Sequence, residues 1–180
     1  MSNPLIARHV ASMSGYTPGE QPRGQRLVKL NTNENPYPPS PAVAAALAAV
    51  AAAALRRYPD PLAAAVRRRI AEIHGCLIDQ VFAGNGSDEI LALATRAFVE
   101  DDGSIGYFVP SYSLYPVLAE IRQAELRPAP LTADYGWNLP PDYAASLFFL
   151  TNPSAPTSLQ HDKTTVAAFC PRFHGVVFID

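Results

Sequence analysis

From residue 81 the chain reads Val81-Phe82-Ala83-Gly84-Asn85-Gly86-Ser87-Asp88-Glu89, then Ile90-Leu91-Ala92-Leu93-Ala94-Thr95-Arg96-Ala97-Phe98-Val99, and after a polar link Ile105-Gly106-Tyr107-Phe108-Val109. The first three residues form a short apolar run, a strand by this pattern, and a glycine turn follows it. Over Glu89 to Val99, the residues Ile90, Leu91, Leu93, Ala94, Ala97 and Phe98 face one side of a helix. Ile105 to Val109 is a second strand, closed by Pro110. Strand, glycine turn, helix and strand in succession mark an α/β unit.

The same alternation extends downstream. Leu114 to Ile121 reads as a helix behind Pro110, and Leu147 to Leu150 and Val176 to Ile179 are unbroken apolar runs of strand length. Strands buried on both faces have this composition, which points to a largely parallel sheet with helices on its faces and ligand groups at the carboxyl ends of its strands. Upstream, Ser40 and Pro41 pair an N-cap with a first-turn proline ahead of the alanine-rich run Ala42 to Arg57. Asp60 and Pro61 repeat that start, and Leu62, Val66, Ile70 and Ile73 recur at helical spacing until Gly75. Residues 1–40, punctuated by Pro4, Gly15, Pro18, Gly19, Pro22 and Gly24, read as an irregular arm, and residues 41–180 as one domain. There is no internal repeat.

Composition narrows the function. The 180 residues are 48% hydrophobic and 17% charged, enough for a sizeable core, and the net charge is −2. Basic residues are scattered except at Arg67, Arg68 and Arg69, which read as a solvated helix face, so nucleic acid is not an expected partner. No apolar run is long enough for a signal peptide or a membrane span. Cys76 and Cys170 form no C-x-x-C pair, and His9, His74, His161 and His174 share no metal spacing, so neither a disulfide framework nor a metal site is expected and a cytoplasmic setting fits.

Four segments carry candidate chemistry. Gly84 to Glu89 places backbone N–H groups and the Ser87 hydroxyl at a helix N-terminus, which suits a phosphate; an ordinary turn capped by Ser87 or Asp88 is the alternative. Pro110-Ser111-Tyr112-Ser113-Leu114-Tyr115 sets an aromatic ring at a strand end, where a flat cofactor could stack on Tyr112, unless both tyrosines only cover core edges. Thr151-Asn152-Pro153-Ser154-Ala155-Pro156-Thr157 supplies neutral donors suited to a phenolate oxygen, or serves as a plain connecting loop. Asp180 ends an apolar run, and a carboxylate there suits a pyridine nitrogen that must stay protonated; an N-cap or a solvated end is the bland alternative.

With Leu30-Asn31-Thr32-Asn33-Glu34-Asn35-Pro36-Tyr37-Pro38-Pro39-Ser40 and Arg57-Tyr58-Pro59-Asp60 added, these segments resemble, in order and spacing, successive motifs of the histidinol-phosphate aminotransferases. The resemblance runs over nearly the whole chain from Leu30. It implies the large domain of a fold-type-I, pyridoxal-phosphate-dependent transferase, a three-layer α/β sandwich with a mostly parallel sheet. It implies amino transfer between histidinol phosphate and 2-oxoglutarate in histidine biosynthesis. Gly86, Ser87 and the Asp88 backbone would bind the cofactor phosphate, Tyr112 would stack on the ring, and Asp180 would meet its nitrogen. Tyr58 would reach the phosphate of a neighbouring subunit in a homodimer, and Asn33, Glu34 and Tyr37 match an arm near the substrate.

Two departures from the family pattern stand out. Where the family commonly has Asn-Pro-Asn-x-Pro-Thr-Gly, Ser154 replaces the second asparagine and Ser158 the glycine, leaving Asn152 and Ser154 as candidates for the contact to the cofactor's O3′. The family also continues past the aspartate to the Schiff-base lysine and a small C-terminal domain. Lys29 and Lys163 are the only lysines and neither matches that position, so the sequence is expected to be an incomplete large domain, inactive alone. A related aromatic aminotransferase or a threonine-phosphate decarboxylase would use the same residues. A non-catalytic protein with a degenerate cofactor or phosphate pocket is a different outcome, and a nucleotide-binding domain is disfavoured because Glu89 stands where G-x-G-x-x-G needs its third glycine.

Overall fold

In the computed structural model, which describes residues 5–16, 28–29 and 32–180, the elements run in this order. They are α1 (Arg8–Ser12), α2 (Pro41–Ala48), α3 (Ala64–His74), α4 (Ser87–Phe98), β1 (Ser104–Val109), α5 (Leu114–Arg122), β2 (Glu125–Pro130), β3 (Leu147–Leu150), α6 (Lys163–Phe169) and β4 (Val176–Ile179). Internal contacts group these into two units, Met1–Tyr16 with Gly84–Asp180, and Thr17–Ala83. Leu30 and Asn31, which open the first motif, and much of the expected arm lie outside the described residues.

The first unit holds a four-stranded sheet, order β2-β1-β3-β4, with every pairing parallel. Alternate residues of its strands serve two cores, as the two-residue period of a strand requires. Ile105, Tyr107, Leu147 and Phe149 pack against Leu91 and Ala94 of α4 and against Leu114, Tyr115, Leu118 and Ala119 of α5. Phe108, Phe148 and Leu150 point the other way, onto Val166 of α6 with Phe169 and Phe173 beside it. Helices on both faces of a parallel sheet make the expected three-layer α/β sandwich. Leu147, Phe148 and Phe149 are fully buried, and each such side chain contributes about 1.5–3 kcal/mol. Gly106 is required within β1, because a Cβ there would run into the Tyr143 hydroxyl and the Phe148 ring.

β2 is absent from the sequence reading. Its sequence, Glu125-Leu126-Arg127-Pro128-Ala129-Pro130, carries two prolines, normally a sign against a strand. Among the described residues it pairs with β1 alone, at the end of the sheet, where a missing N–H costs no ladder bond on the open side. α6 is also too short, at seven residues, to show a period. Its start is marked instead by Asp162, whose carboxylate accepts from the Thr165 backbone N–H at 2.9 Å and the Thr165 hydroxyl at 3.0 Å.

The second unit corrects four expectations. Val81 to Ala83 is not a strand: a 3-10 turn spans Ile78–Gln80, and the Val81 carbonyl accepts from Arg67 Nε at 2.7 Å rather than from a ladder partner. Arg67 therefore does not belong to a solvated face, since its Nη2 also donates to the Ile78 carbonyl at 2.9 Å; Arg69 does stay outside, paired with Glu72. The alanine run is helical only over Pro41–Ala48, followed by a 3-10 turn at Ala52–Ala54. Among the described residues α2 buries none of its own, so alanine propensity and the first-turn Pro41 favour it without help from packing. α3 begins at Ala64, three residues beyond Pro61. Asp60 still organises the start, its carboxylate accepting from the Leu62 and Ala64 N–H groups at 3.0 and 2.7 Å. Gly75, at φ +65°, closes α3 as expected.

Candidate functional site

The carboxyl ends of three adjacent strands, β1, β3 and β4, deliver the candidate groups of the first unit side by side. Beyond β1 lie Ser111 and Tyr112, beyond β3 Thr151 and Asn152, and beyond β4 Asp180. The Asp180 backbone continues the ladder: its N–H donates to the Leu150 carbonyl at 3.0 Å and its carbonyl accepts from Asn152 N–H at 2.9 Å. Its carboxylate is therefore held at the edge where ligands gather in such sheets.

The glycine turn meets that carboxylate. α4 begins at Ser87 behind Gly86, whose φ of +83° is a left-handed conformation that glycine adopts without strain. Among the described residues no side chain caps this helix start, so its first N–H groups face outward with the partial positive charge of the helix end. Glu89 folds back to accept from the Asn85 N–H at 2.5 Å and shapes the turn. The Ser87 hydroxyl donates to Asp180 Oδ1 at 2.6 Å. Chemically, then, an anion cradle and a carboxylate that wants a cation lie in direct contact.

Tyr112 is tied to the same turn, its hydroxyl donating to Asp88 Oδ1 at 3.2 Å. Its ring stands edge-to-face with Tyr115 and with Tyr16, at centroid separations of 5.7 and 5.9 Å. Burial, and then the hydrogen bond with Tyr16, pushes the Tyr112 phenol well above its ordinary range, so it stays protonated and donates.

Ser111, Thr151 and Tyr115 lie within the candidate segments without an assigned role of their own, and the structure brings them together. Tyr115 is fully buried, stacked on Phe149 at 4.6 Å, yet its hydroxyl donates to Asp180 Oδ2 at 2.7 Å. The same hydroxyl lies 2.7 Å from Thr151 Oγ1, which in turn lies 3.0 Å from Ser111 Oγ. Their one signal in sequence is position: each follows the carboxyl end of an apolar strand run.

Ser87, Asp88, Tyr112 and Asp180 are thus linked, and Gly86 shapes the turn that carries Ser87. Asn152 sits beside Asp180, but its side chain is committed to the loop, accepting from the His161 N–H at 2.9 Å and donating to the His161 carbonyl at 3.2 Å. Ser154 belongs to a turn closed by Ser158 and Leu159, each within 2.7 Å of its backbone. Tyr58, Asn33, Glu34 and Tyr37 belong to the unit Thr17–Ala83. There Tyr58 is fully exposed, Tyr37 is largely so, and Lys29 donates to Glu34 at 2.5 Å, holding the Glu34 carboxyl below its ordinary range. A cavity of about 480 Å³ bounded by Trp137, Tyr143, Phe169 and Phe173 touches none of the residues named at the strand ends. Among the described residues no His, Cys, Asp and Glu cluster could hold a metal, and no helix is long and apolar enough to cross a membrane.

Fold and motif together define a transferase-type α/β domain, and the chain belongs to the aminotransferase class I and II family, whose model matches residues 25–180. Among named relatives, the histidinol-phosphate aminotransferase of Geotalea uraniireducens is 41% identical over 97% of this chain and 51% of that protein. That of Syntrophotalea carbinolica is 43% identical over 99% of this chain and 52% of its own length. The chain spans about half the length of the curated relatives it matches. In fold it is similar to the crystal structure of histidinol-phosphate aminotransferase from Sinorhizobium meliloti in complex with pyridoxal-5′-phosphate. That match has a TM-score of 0.73 at 21% identity and covers 83% of this chain and 42% of that one. L-threonine-O-3-phosphate decarboxylase from Porphyromonas gingivalis shares the fold more distantly, with a TM-score of 0.58 at 20% identity over 68% and 37% of the two chains.

Proposed function

We propose that these residues form the cofactor-binding part of a pyridoxal-phosphate-dependent aminotransferase that passes an amino group from histidinol phosphate to 2-oxoglutarate. The observation that carries this is the Ser87–Asp180 hydrogen bond, which joins two groups from the glycine turn and the end of β4 that have opposite ligand preferences. Within this proposal, residues 1–40 serve as the arm and residues 41–180 as a partial cofactor domain. The protein works as a homodimer in the cytoplasm, with Tyr58 reaching the partner's phosphate site and Asn33, Glu34 and Tyr37 near the substrate.

The residues fit the cofactor in kind. A phosphate takes the uncapped N–H groups of Gly86, Ser87 and Asp88 and the Ser87 hydroxyl, all donors. The flat ring takes the Tyr112 face, and a protonated ring nitrogen takes the Asp180 carboxylate. When bound, pyridoxal phosphate supplies an electron sink for the carbanion formed at the substrate's α-carbon. The chain's own part is to hold the phosphate, orient the ring and keep a negative charge at the nitrogen. In spacing, the Ser87 and Asp180 side chains must turn apart to admit a ring between them; Ser87 is exposed and Asp180 partly so, which leaves that rotation open. Asn152, already close to Asp180, is better placed than Ser154 to reach O3′, with one amide hydrogen still to give. The covalent attachment falls to neither Lys29 nor Lys163.

The test is amino transfer by the protein that carries these residues, with histidinol phosphate, aromatic amino acids and O-phosphothreonine as competing donors. We expect histidinol phosphate to have the highest kcat/KM. Preference for an aromatic amino acid, or carbon dioxide release from O-phosphothreonine, would replace the proposed substrate.

A further inference from the structure

The chain of hydroxyls behind Asp180 has a direction that can be found by counting protons. A carboxylate only accepts, so the single Tyr115 proton goes to Asp180 Oδ2, as the 2.7 Å geometry has it. Tyr115 Oη then has only lone pairs left for Thr151, so the Thr151 hydroxyl donates to it across 2.7 Å. Thr151 has spent its proton in turn, so Ser111 donates to Thr151 across 3.0 Å. The sequence Ser111 to Thr151 to Tyr115 to Asp180 is therefore a row of aligned O–H dipoles, each polarising the next toward the carboxylate.

Tyr115 is held for this task. Its ring is buried against the sheet, stacked on Phe149 of β3 at 4.6 Å and tilted against Tyr107 of β1 at 5.9 Å. Burial pushes its phenol well above the ordinary range, so it stays a donor. The two carboxylate oxygens of Asp180 are consequently different: Oδ2 is taken by the buried Tyr115, whereas Oδ1 is taken by Ser87 on the exposed side.

We propose that Tyr115, with Thr151 and Ser111 behind it, is a positioning residue that reserves Oδ2 of Asp180 for the protein and leaves Oδ1 as the oxygen that meets the cofactor's ring nitrogen. This rests on the function proposed above. The Ser87 hydroxyl that occupies Oδ1 is the one assigned to the phosphate, so a bound cofactor exchanges one internal hydrogen bond for two contacts at its opposite ends. Without Tyr115 the carboxylate is free to rotate and loses its fixed bearing on the nitrogen.

The experiment compares binding of pyridoxal phosphate with that of its 1-deaza analogue, in which a C–H replaces the ring nitrogen, to the full chain and to Tyr115→Phe. The variant keeps the ring and removes only the hydroxyl. We expect the wild type to prefer pyridoxal phosphate, and Tyr115→Phe to lose about tenfold in affinity for it while binding the analogue as before. Thr151→Val, which removes the donor to Tyr115 outside the packed ring cluster, is expected to shift the same ratio in the same direction by less. It keeps the test in force should Tyr115→Phe fail to fold. Equal weakening of both ligands in the variants assigns Tyr115 a packing role only and overturns the proposal, as does an unchanged ratio. If the wild type itself shows no preference, or binds neither ligand, the cofactor assignment to Asp180 fails first and the positioning role falls with it.

Discussion

The Ser87 hydroxyl and the Asp180 carboxylate lie 2.6 Å apart although 93 positions separate them in the chain. One comes from the first turn of α4 and the other from the end of β4, and only the parallel arrangement of β1, β3 and β4 brings those ends to one edge. A hydroxyl beside uncapped helix amides favours an anion, and a carboxylate favours a cation. A ligand that carries both charges, one at each end of a flat ring, satisfies the pair.

Replacing Ser87 with alanine should separate the phosphate from the rest of the cofactor. Losing a hydrogen bond to a charged group costs about 1.5–3 kcal/mol, or roughly ten- to a hundredfold in affinity. We expect that loss for pyridoxal phosphate and little change for unphosphorylated pyridoxal, measured by fluorescence titration. Equal effects on both would remove Ser87 from the phosphate site.

Gly86→Ala probes the turn itself. At φ +83° and ψ 170°, a region essentially reserved for glycine, an alanine is strained by about 1–3 kcal/mol, although no atom lies within 4 Å of the added carbon. The thermal midpoint should fall by several degrees and phosphate affinity with it. A variant as stable as the parent would mean that the turn relaxes without cost.

Some of this was readable in the sequence, and for a physical reason. Leu147 to Leu150 is buried on both faces and so is apolar at every position, which a one-dimensional reading detects, and Val176 to Ile179 shows the same unbroken apolar run although as an outer strand it is only half-buried, with Ile179 exposed. Val81 to Ala83 has the same look over three residues but lacks a ladder partner, because Arg67 takes the Val81 carbonyl from another part of the chain. β2 failed in the opposite sense, its prolines tolerated at an edge that only the topology reveals. At the site, the glycine turn and Asp180 could be named from pattern and resemblance. Ser111, Thr151 and Tyr115 are ordinary loop and helix residues until strand order sets them in line, and only then does the row of hydroxyls exist.

A pH test isolates one local element. Hydrogen bonds from the Thr165 backbone and hydroxyl hold the Asp162 carboxyl below its ordinary range. A group whose folded value is depressed contributes stability above its unfolded value, near pH 4, and loses it as the pH falls through the folded value. Asp162→Asn keeps the cap but cannot titrate. We expect the variant and parent to differ less in thermal midpoint as the pH is lowered from 5 toward 2, as followed by circular dichroism. A difference independent of pH would exclude Asp162 as the titrating cap.

The most direct measurement is the 15N spectrum of pyridoxal phosphate labelled at its ring nitrogen and bound to the protein at neutral pH. We expect the shift of a protonated pyridinium in the wild type and that of a neutral pyridine in Asp180→Ala, with the phosphate still held. A neutral nitrogen in the wild type, or the same protonated signal in both proteins, would contradict the pairing of Asp180 with the ring.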